Sequence, residues 1–316
     1  MGALQNDGGG NDAVDFGIAM QCPCCRTDMG GLGCMLCGFR MQIRRGIVQA
    51  LLPERVAHYA RFIEDYERIR SEEGRGSRNE DFYLGLPYKD TSGRNAKQWN
   101  IRARSYECLI QHVLKPLGRR GTILDLGAGN GWMSFRLALA GFRPIAVDLL
   151  TNEHDGLAAA AHYHRHLPEP FPRFQAEMTH LPFQNEQFDT IVFNASFHYS
   201  EDYEASLREA LRCLRSGGMV IISDTPWYSR EESGRQMISE RHAAFLRKFG
   251  TASDSIPSLE FLTDERLRLL EERLSIQWTI HTPKYGLKWA LRPFHARLRH
   301  KREPSRFRIY TAKKNG

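Results

Sequence analysis

The chain has 316 residues, 41% of them hydrophobic and 26% charged, and its formal net charge is +7. This length allows one large α/β domain with a small appendage, and the apolar fraction can fill a sizeable core. No run approaches 18 uninterrupted apolar residues, so the sequence excludes an apolar membrane-spanning helix.

The N-terminal residues 1–20 are polar and rich in glycine. They lack the basic start and the apolar run of a signal peptide, so we expect a disordered tail and a cytoplasmic location. In that compartment, the seven cysteines indicate metal binding or free thiols instead of disulfides.

The segment 21–50 contains two C-x-x-C pairs. The four cysteines are Cys22, Cys25, Cys34 and Cys37. Each pair can place two thiolates on one turn, and two such turns complete a tetrahedral Zn²⁺ site. Because protein fills all four positions, we expect a structural metal. Two alternatives stay open, namely Cys24 in place of Cys25 and an iron–sulfur cluster in place of zinc.

Residues 51–98 are predicted to form a helix followed by a lid-like linker. Pro53 fits a first helical position, and apolar residues repeat at helical spacing over 53–70. Residues 71–98 are rich in glycine, serine, asparagine and charge, which is typical of a long loop, and long loops often act as lids. The aromatic residues Tyr83 and Tyr88 are candidates to cover a bound substrate.

Residues 99–316 alternate between short apolar runs and helical spacing. Strands are predicted at 122–127, 144–149, 188–195, 217–224, 276–282 and 306–312, and helices at about 97–115, 132–140, 204–214 and 264–274. This alternation predicts an α/β fold with a mostly parallel sheet covered by helices on both faces.

A glycine-rich turn, D-L-G-A-G-N-G at 125–131, follows the first of these strands and opens a helix. Glycines let the backbone turn tightly and approach a nucleotide-like ligand at this point of a doubly wound sheet. Asp148 ends the second strand, nineteen residues after Gly129, where a carboxylate can bind both ribose hydroxyls. Nicotinamide-binding domains share such a turn, so the glycines alone do not identify the ligand.

Asp125 and three further motifs help to identify the ligand of this turn. Asp125 precedes the glycines, where dinucleotide-binding strands usually carry apolar residues. The motifs A-E-M-T-H-L-P-F (176–183), F-D-T-I-V-F-N-A-S-F-H-Y (188–199) and L-R-S-G-G-M-V-I-I-S-D (214–224) follow in order. In this order and spacing, residues 95–316 resemble the class I S-adenosylmethionine-dependent methyltransferases. The resemblance implies a Rossmann-like seven-stranded sheet and S-adenosyl-L-methionine as methyl donor.

The resemblance also implies which residues contact the donor. They are Asp125 at its amino-acid end, Gly127, Ala128 and Gly129 beneath it, Asp148 at the ribose, Leu149, Glu177 and Met178 around the adenine, and Asn194 beside the methyl group. The family usually has an acid followed by a small residue where this chain has Glu177 and Met178. Trp99 and Arg102, on the helix before the first strand, can close over the donor, and Arg102 can pair with its carboxylate.

On the acceptor side, alignment and exclusion of water can supply most of the acceleration, so a catalytic base is not obligatory. His198 is the first candidate base, because an ordinary histidine pKa suits proton removal near neutrality. A packed histidine is the equally weighted alternative. The residues expected to line the acceptor pocket are Tyr199, Asp224, Trp227 and Tyr228, with Tyr199 as a second catalytic candidate.

The basic charge is concentrated near the C-terminal end. Residues 284–314 contain eleven Lys or Arg and one acid, a net charge of +10, so the remainder of the chain carries −3. An insertion at about 284–305 has an apolar stripe at helical spacing. The stripe consists of Leu287, Leu291, Phe294 and Leu298. Residues 284–302 can cap the pocket, grip phosphates or lie on an anionic membrane, and we expect the cap because the stripe must be buried.

The sequence therefore predicts methyl transfer to O, N or C of a small-molecule or lipid-like acceptor. An RNA methyltransferase of the ribosomal-RNA type is the first alternative, supported by the cysteine lobe and the basic segment. A donor-binding scaffold without catalysis is the second. A flat basic surface that joins the cysteine lobe to the pocket would favour an RNA methyltransferase. An enclosed aromatic cavity would favour a small-molecule acceptor, and a pocket blocked next to Asn194 would favour the scaffold without catalysis.

Overall fold

The computed structural model describes residues 16–118 and 120–315. The strands are β1 Met20–Gln21, β2 Asp28–Met29, β3 Gln42–Arg44, β4 Ile47–Gln49, β5 Thr122–Leu126, β6 Arg143–Asp148, β7 Arg173–Gln175, β8 Phe188–Asn194, β9 Leu214–Ser223, β10 Thr279–His281 and β11 Ile309–Lys313. The α-helices are α1 Pro53–Glu72, α2 Glu80–Gly85, α3 Ala96–Leu109, α4 Trp132–Leu139, α5 Ala161–His164, α6 Tyr203–Cys213, α7 Glu231–Phe249, α8 Asp264–Leu274, α9 Leu287–Ala290 and α10 Arg292–Leu298.

The main sheet has the strand order β10-β11-β9-β8-β5-β6-β7-β4-β3. Strand β11 pairs antiparallel with both neighbours, whereas the five strands from β9 to β7 pair in parallel. The seven strands from β10 to β7 confirm the predicted Rossmann-like sheet. The hairpin β3–β4 was not predicted, and it extends the sheet because β4 pairs in parallel with β7.

The central strands are buried on both faces. On β5, Ile123 packs into one hydrophobic cluster, and Leu124 and Leu126 pack into the cluster on the opposite face. This is the period-two alternation of a strand between two helical layers. Because the faces are covered, the carboxyl ends of the parallel strands are the natural place for a ligand.

The cysteine lobe and the sheet share one hydrophobic core, in which Cys22 and Cys34 are buried. Residues 16–20 also pack against this core, with Met20 buried and the Phe16 ring edge-on to Phe174 at 5.1 Å. The predicted disorder is therefore wrong for residues 16–20. Residues 1–15 lie outside the described part of the chain.

The predicted helix over 53–70 is confirmed as α1, which has Pro53 in its first turn. The loop predicted over 71–98 is wrong in part, since α2 lies within it. The Asn79 side chain accepts a hydrogen bond from the backbone N–H of Asp81 at 2.9 Å and caps this helix. Within residues 16–118 and 120–315, no helix combines the length and the apolar character needed to cross a bilayer.

Candidate functional site

A cavity of about 440 Å³ lies at the carboxyl ends of β5, β6 and β8 and is covered by α1. Its volume is within the usual range for small-ligand sites. The structure brings to this cavity all nine residues predicted to contact the donor, together with Arg102 and Tyr199. The nine are Asp125, Gly127, Ala128, Gly129, Asp148, Leu149, Glu177, Met178 and Asn194.

The glycine turn is shaped by close backbone approaches. Gly127 has a φ of +77°, and a Cβ at this position would come within 2.1 Å of the Ser196 Cβ. The Asp148 carboxylate accepts hydrogen bonds from the backbone N–H groups of Gly129 at 2.7 Å and Leu150 at 2.8 Å. Asp148 therefore holds the turn against the end of β6. Burial raises the pKa of Asp148 to about 6.

Asp125 lines the cavity and has one carboxylate oxygen without a partner among the described residues. Its Oδ2 accepts a hydrogen bond from the Ser134 hydroxyl at 2.7 Å, whereas its buried Oδ1 has no partner among the described residues. Burial, together with the nearby Asp148 carboxylate, raises the pKa of Asp125 to about 7. Buried polar atoms normally have partners, so this oxygen is available to a ligand donor group.

Arg102 presents a free cation to the same cavity. Its guanidinium lies over the Trp99 ring at 4.9 Å and makes no hydrogen bond or ion pair with any residue that the structure describes. Burial, together with the neighbouring Arg70 and Arg75, lowers the pKa of Arg102 to about 10. The group stays charged at neutral pH, and a guanidinium of this kind is suited to bind a carboxylate.

Glu177 is not free for a ligand in the way the sequence predicted. Arg55 on α1 forms an ion pair with its carboxylate at 2.8 Å, and Tyr59, Thr179 and His180 also bind it at 3.0–3.2 Å. Burial alone would raise the pKa of Glu177, but hydrogen bonds from His180 and Arg55 lower it to about 2. The side chain therefore anchors α1, which the sequence did not predict.

Helix α1 covers the cavity. The sequence had predicted this role for residues 71–98 instead. The lining residues on this helix, none of which was predicted to belong to the site, are Arg55, Tyr59, Phe62, Tyr66 and Arg70. The helix is clamped at both ends, by the Arg55–Glu177 pair and by Arg70 bound to Asp155 at 2.5 Å. These arginines are fifteen residues apart, or about 22 Å along the helix. The aromatic stripe was visible in the sequence, but such stripes usually belong to the core.

Comparison with known proteins agrees with this geometry, since residues 124–222 match the methyltransferase domain family. The matched part of the chain is therefore similar to a methyltransferase domain. Over 137 residues it is 29% identical to malonyl-[acyl-carrier protein] O-methyltransferase of Yersinia pestis, covering 42% of this chain and 49% of the relative. Over 154 residues it is 32% identical to sarcosine/dimethylglycine N-methyltransferase of Halorhodospira halochloris, covering 46% and 50%. The chain thus spans about half the length of these relatives.

A solved structure of similar fold is 1,6-didemethyltoxoflavin-N1-methyltransferase of Burkholderia thailandensis, with bound 1,6-didemethyltoxoflavin and S-adenosylhomocysteine. It is 19% identical, the match covers 80% of this chain and 90% of that chain, and the TM-score is 0.48.

Tyr83 and Tyr88, predicted to cover a substrate, do not line the cavity of the methyltransferase domain. The Tyr83 hydroxyl lies 2.6 Å and 2.8 Å from the carbonyl oxygens of Ser77 and His154, so this ring is held in the core. Tyr88 is half-exposed on the outer side of the fold, under the guanidinium of Arg136. The prediction is wrong because Tyr83, on α2, points into the core, whereas Tyr88 lies on the surface away from the cavity.

Three other predicted residues are buried behind the cavity. Trp99 packs edge-on against Trp132, with ring centroids 6.0 Å apart, and only Trp132 reaches the cavity. Trp227 donates a hydrogen bond from Nε1 to Asp264 at 2.9 Å, and Tyr228 is fully buried. Trp227 and Tyr228 follow β9, as predicted, but neither lines the cavity.

His198 and Asp224 lie next to the cavity without lining it. The His198 ring packs at a tilt against Tyr199, which does line the cavity, with centroids 4.2 Å apart. Burial lowers the pKa of His198 to about 4. Asp224 accepts a hydrogen bond from Ser105, and burial raises the pKa of Asp224 to about 6. Both side chains interact electrostatically with Arg102. The His198 Nδ1 and the Asp224 Oδ2 are buried and have no partner among the described residues.

The four cysteines of the predicted metal site converge, and all their Sγ atoms lie within 4.8 Å of one another. Four thiolates around one Zn²⁺, each about 2.3 Å from the metal, would be about 3.8 Å apart. Two of the Sγ–Sγ separations are 3.6 Å for Cys22–Cys37 and 3.4 Å for Cys25–Cys34. Cys24 is exposed and outside the cluster. The arrangement can therefore hold a metal ion.

Proposed function

We propose that this chain transfers a methyl group from S-adenosyl-L-methionine to a small-molecule or lipid-like acceptor. The proposal rests on two charged residues that line the same cavity beside the glycine turn. The Asp125 Oδ1 and the Arg102 guanidinium both have no hydrogen-bond partner among the described residues. A ligand with an ammonium and a carboxylate on one carbon can satisfy both. Asp148 is positioned to hold the ribose of the same ligand.

When bound, the donor supplies a methyl group on a sulfonium centre. The residues of this chain then orient it, Asp125 and Arg102 at the amino-acid end and Asp148 at the ribose. Asn194, which ends β8, lines the cavity, and its buried Oδ1 has no partner among the described residues. Helix α1 excludes water, which favours an in-line displacement by alignment alone.

The acceptor side of the proposal rests on Tyr199 and His198. Tyr199 lines the cavity, and His198 behind it is neutral at pH 7, as a base must be before it accepts a proton. The named relatives transfer methyl groups to a carrier-bound malonyl group and to sarcosine or dimethylglycine. This range supports a small acceptor and leaves the choice of O, N or C open. The cavity reaches Asn194, which is contrary to the scaffold alternative.

The experiment is incubation of cell extract with the purified protein and isotopically labelled S-adenosyl-L-methionine. Label in a small molecule or lipid that requires the wild-type protein supports the proposal. Label in RNA would replace it by the RNA alternative. Donor binding without transfer to any fraction would favour the scaffold.

Donor affinity is expected to rise with pH, because Asp125 must be ionised to bind the donor ammonium. With a pKa of about 7, Asp125 is mostly neutral at pH 5.5, so affinity should be lower there by roughly tenfold than at pH 7. The Asp125→Asn variant should bind more weakly and shift the midpoint towards the pKa of Asp148, about 6. Calorimetric titration between pH 5.5 and 7 measures both effects, and a flat profile in the wild type would contradict this assignment.

We also propose that the cysteine cluster binds one structural Zn²⁺. Cys34→Ser is expected to lower the metal content and loosen the N-terminal lobe, because zinc binding and folding of such lobes are coupled. Donor binding should largely survive, since the cysteines do not line the cavity. Cys24→Ser, at the exposed cysteine outside the cluster, is the matched control and should keep its zinc. Elemental analysis and hydrogen exchange report the two effects. Metal-free wild-type protein with a well-protected lobe would refute the proposal.

A further inference from the structure

The insertion between β10 and β11 turns its apolar stripe towards solvent. The exposed fractions are 75% for Leu287, 42% for Leu291, 60% for Phe294 and 62% for Leu298. On the opposite side of the segment, Trp289 packs against Tyr285 and Phe307 with centroids 5.0 Å and 5.7 Å away, and this contact fixes which face is outward. The expectation that the stripe caps the pocket is therefore wrong, because the large aromatic residue takes the inward position.

Cations flank the exposed stripe. At roughly 100° per residue, Lys288 and Arg299 fall on one side of it and Arg297 falls on the other. All three are exposed, and none forms an ion pair with any residue in the described ranges. Lys301, in the turn that ends α10, is exposed and unpaired in the same sense.

The nearby acids Glu303 and Glu240 form no ion pair with these cations. Glu303 accepts hydrogen bonds from the Ser229 hydroxyl and from the backbone N–H groups of Ser229 and Arg230. Glu240 pairs with Arg302 at 2.7 Å. The outer surface of the insertion is therefore apolar along its middle and positive along its edges.

We infer that residues 284–302 dock on an anionic lipid bilayer. An outward apolar stripe between basic flanks is the pattern of a helix that lies in the interface plane, with apolar side chains at the acyl boundary and cations at lipid phosphates. The basic flanks complement the negative charge of the lipid phosphates, which favours an anionic bilayer over the other occupants. RNA would use the cations but has no need of the stripe, and a second copy of the chain would bring the same positive edges together.

The docking segment is connected to the catalytic side of the methyltransferase domain. The Tyr285 hydroxyl lies 2.8 Å from the Ser105 hydroxyl, and Ser105 donates a hydrogen bond to Asp224. Asp224 in turn interacts electrostatically with Arg102, which lines the cavity. Resting on the proposed function, this placement favours an acceptor drawn from the bilayer, that is, the lipid-like class.

The test is co-sedimentation of the full chain with vesicles of phosphatidylcholine alone and of phosphatidylcholine containing phosphatidylglycerol. Binding is expected only to the anionic vesicles and should weaken as salt rises. The double variant Phe294→Ser/Leu298→Ser and the double variant Lys288→Gln/Arg299→Gln should each bind at least tenfold more weakly. The controls Leu139→Ser, at an exposed leucine on α4, and Lys89→Gln/Lys97→Gln, at exposed lysines elsewhere, should bind as the wild type does.

Absence of binding to anionic vesicles, or binding that both double variants retain, would overturn the inference. Light scattering that shows a dimer dissolved by the Phe294→Ser/Leu298→Ser variant would replace the bilayer by a second copy. Tight RNA binding that only the charge variant loses would replace it by RNA. Calorimetry with the methyl donor is run on the same variants and should be unchanged, so failure of docking and failure of the proposed function are distinguishable.

Discussion

Replacing Asp148 by alanine is expected to weaken binding of S-adenosyl-L-methionine by about tenfold to a hundredfold. In the proposed complex the carboxylate accepts hydrogen bonds from both ribose hydroxyls, and loss of these charge-assisted bonds costs about 1.5–3 kcal/mol. The variant also removes the acceptor for the Gly129 N–H, which holds the glycine turn in place. Both effects act in the same direction on donor affinity.

Calorimetry with the donor or its demethylated product measures this loss. Asp148→Asn keeps one side-chain oxygen and should bind with intermediate affinity. Glu153→Ala is the matched control. This acid follows β6 by a few residues, is largely exposed, and among the described residues is paired only with Arg45. Unchanged affinity in Asp148→Ala would show that the donor site has been misplaced.

Replacing Arg55 by alanine is expected to destabilise the fold by about 3 kcal/mol, since it leaves a buried carboxylate without its cation. Glu177 is only 2% exposed, and its remaining partners would be Tyr59, Thr179 and His180. The change also releases one of the two clamps on α1. Donor affinity should fall as well, because the cover of the cavity is loosened.

Urea unfolding at pH 7 measures the loss of stability. Arg61→Ala is the control on the same helix, and with a 77% exposed side chain it should change stability by less than about 0.5 kcal/mol. Adding Glu177→Gln to Arg55→Ala should recover part of the loss, because the unpaired charge is removed. Equal stability of the Arg55→Ala and Arg61→Ala variants would contradict the buried ion pair.

The pH dependence of this effect follows from the lowered pKa of Glu177. A carboxyl group whose folded-state pKa is depressed contributes stability above its unfolded pKa, here an ordinary value of 4.5, and loses it as pH falls through about 2. The difference between wild type and Arg55→Ala should therefore shrink below pH 4.5.

The parallel sheet and the grouping of residues from its strand ends in one cavity could be predicted because both depend on features that are local in sequence. The apolar run of β5, the glycines after it and the acid ending β6 each specify a conformation within a few residues. The topology then brings the carboxyl ends of β5, β6 and β8 together, which placed Asp125, Asp148 and Asn194 in one cavity. No long-range contact had to be guessed.

The cover of the cavity could not be predicted, because it depends on ion pairs between distant residues. Arg55 and Glu177 are 122 positions apart, and no spacing rule connects them. Helix α7 was missed for a different reason, since it is mostly polar and exposed and lacks a clear apolar stripe. The apolar stripe at 287–298 was predicted to cap the pocket but is exposed. A regular apolar pattern predicts one face of a helix, but it does not predict what covers that face.

The most direct test is a crystal structure of the protein with S-adenosylhomocysteine. The account predicts this ligand beneath α1, with its carboxylate on Arg102, its ammonium near the Asp125 Oδ1 and its ribose hydroxyls on Asp148. A ligand bound elsewhere, or one that leaves Arg102 and Asp148 without contacts, would contradict it.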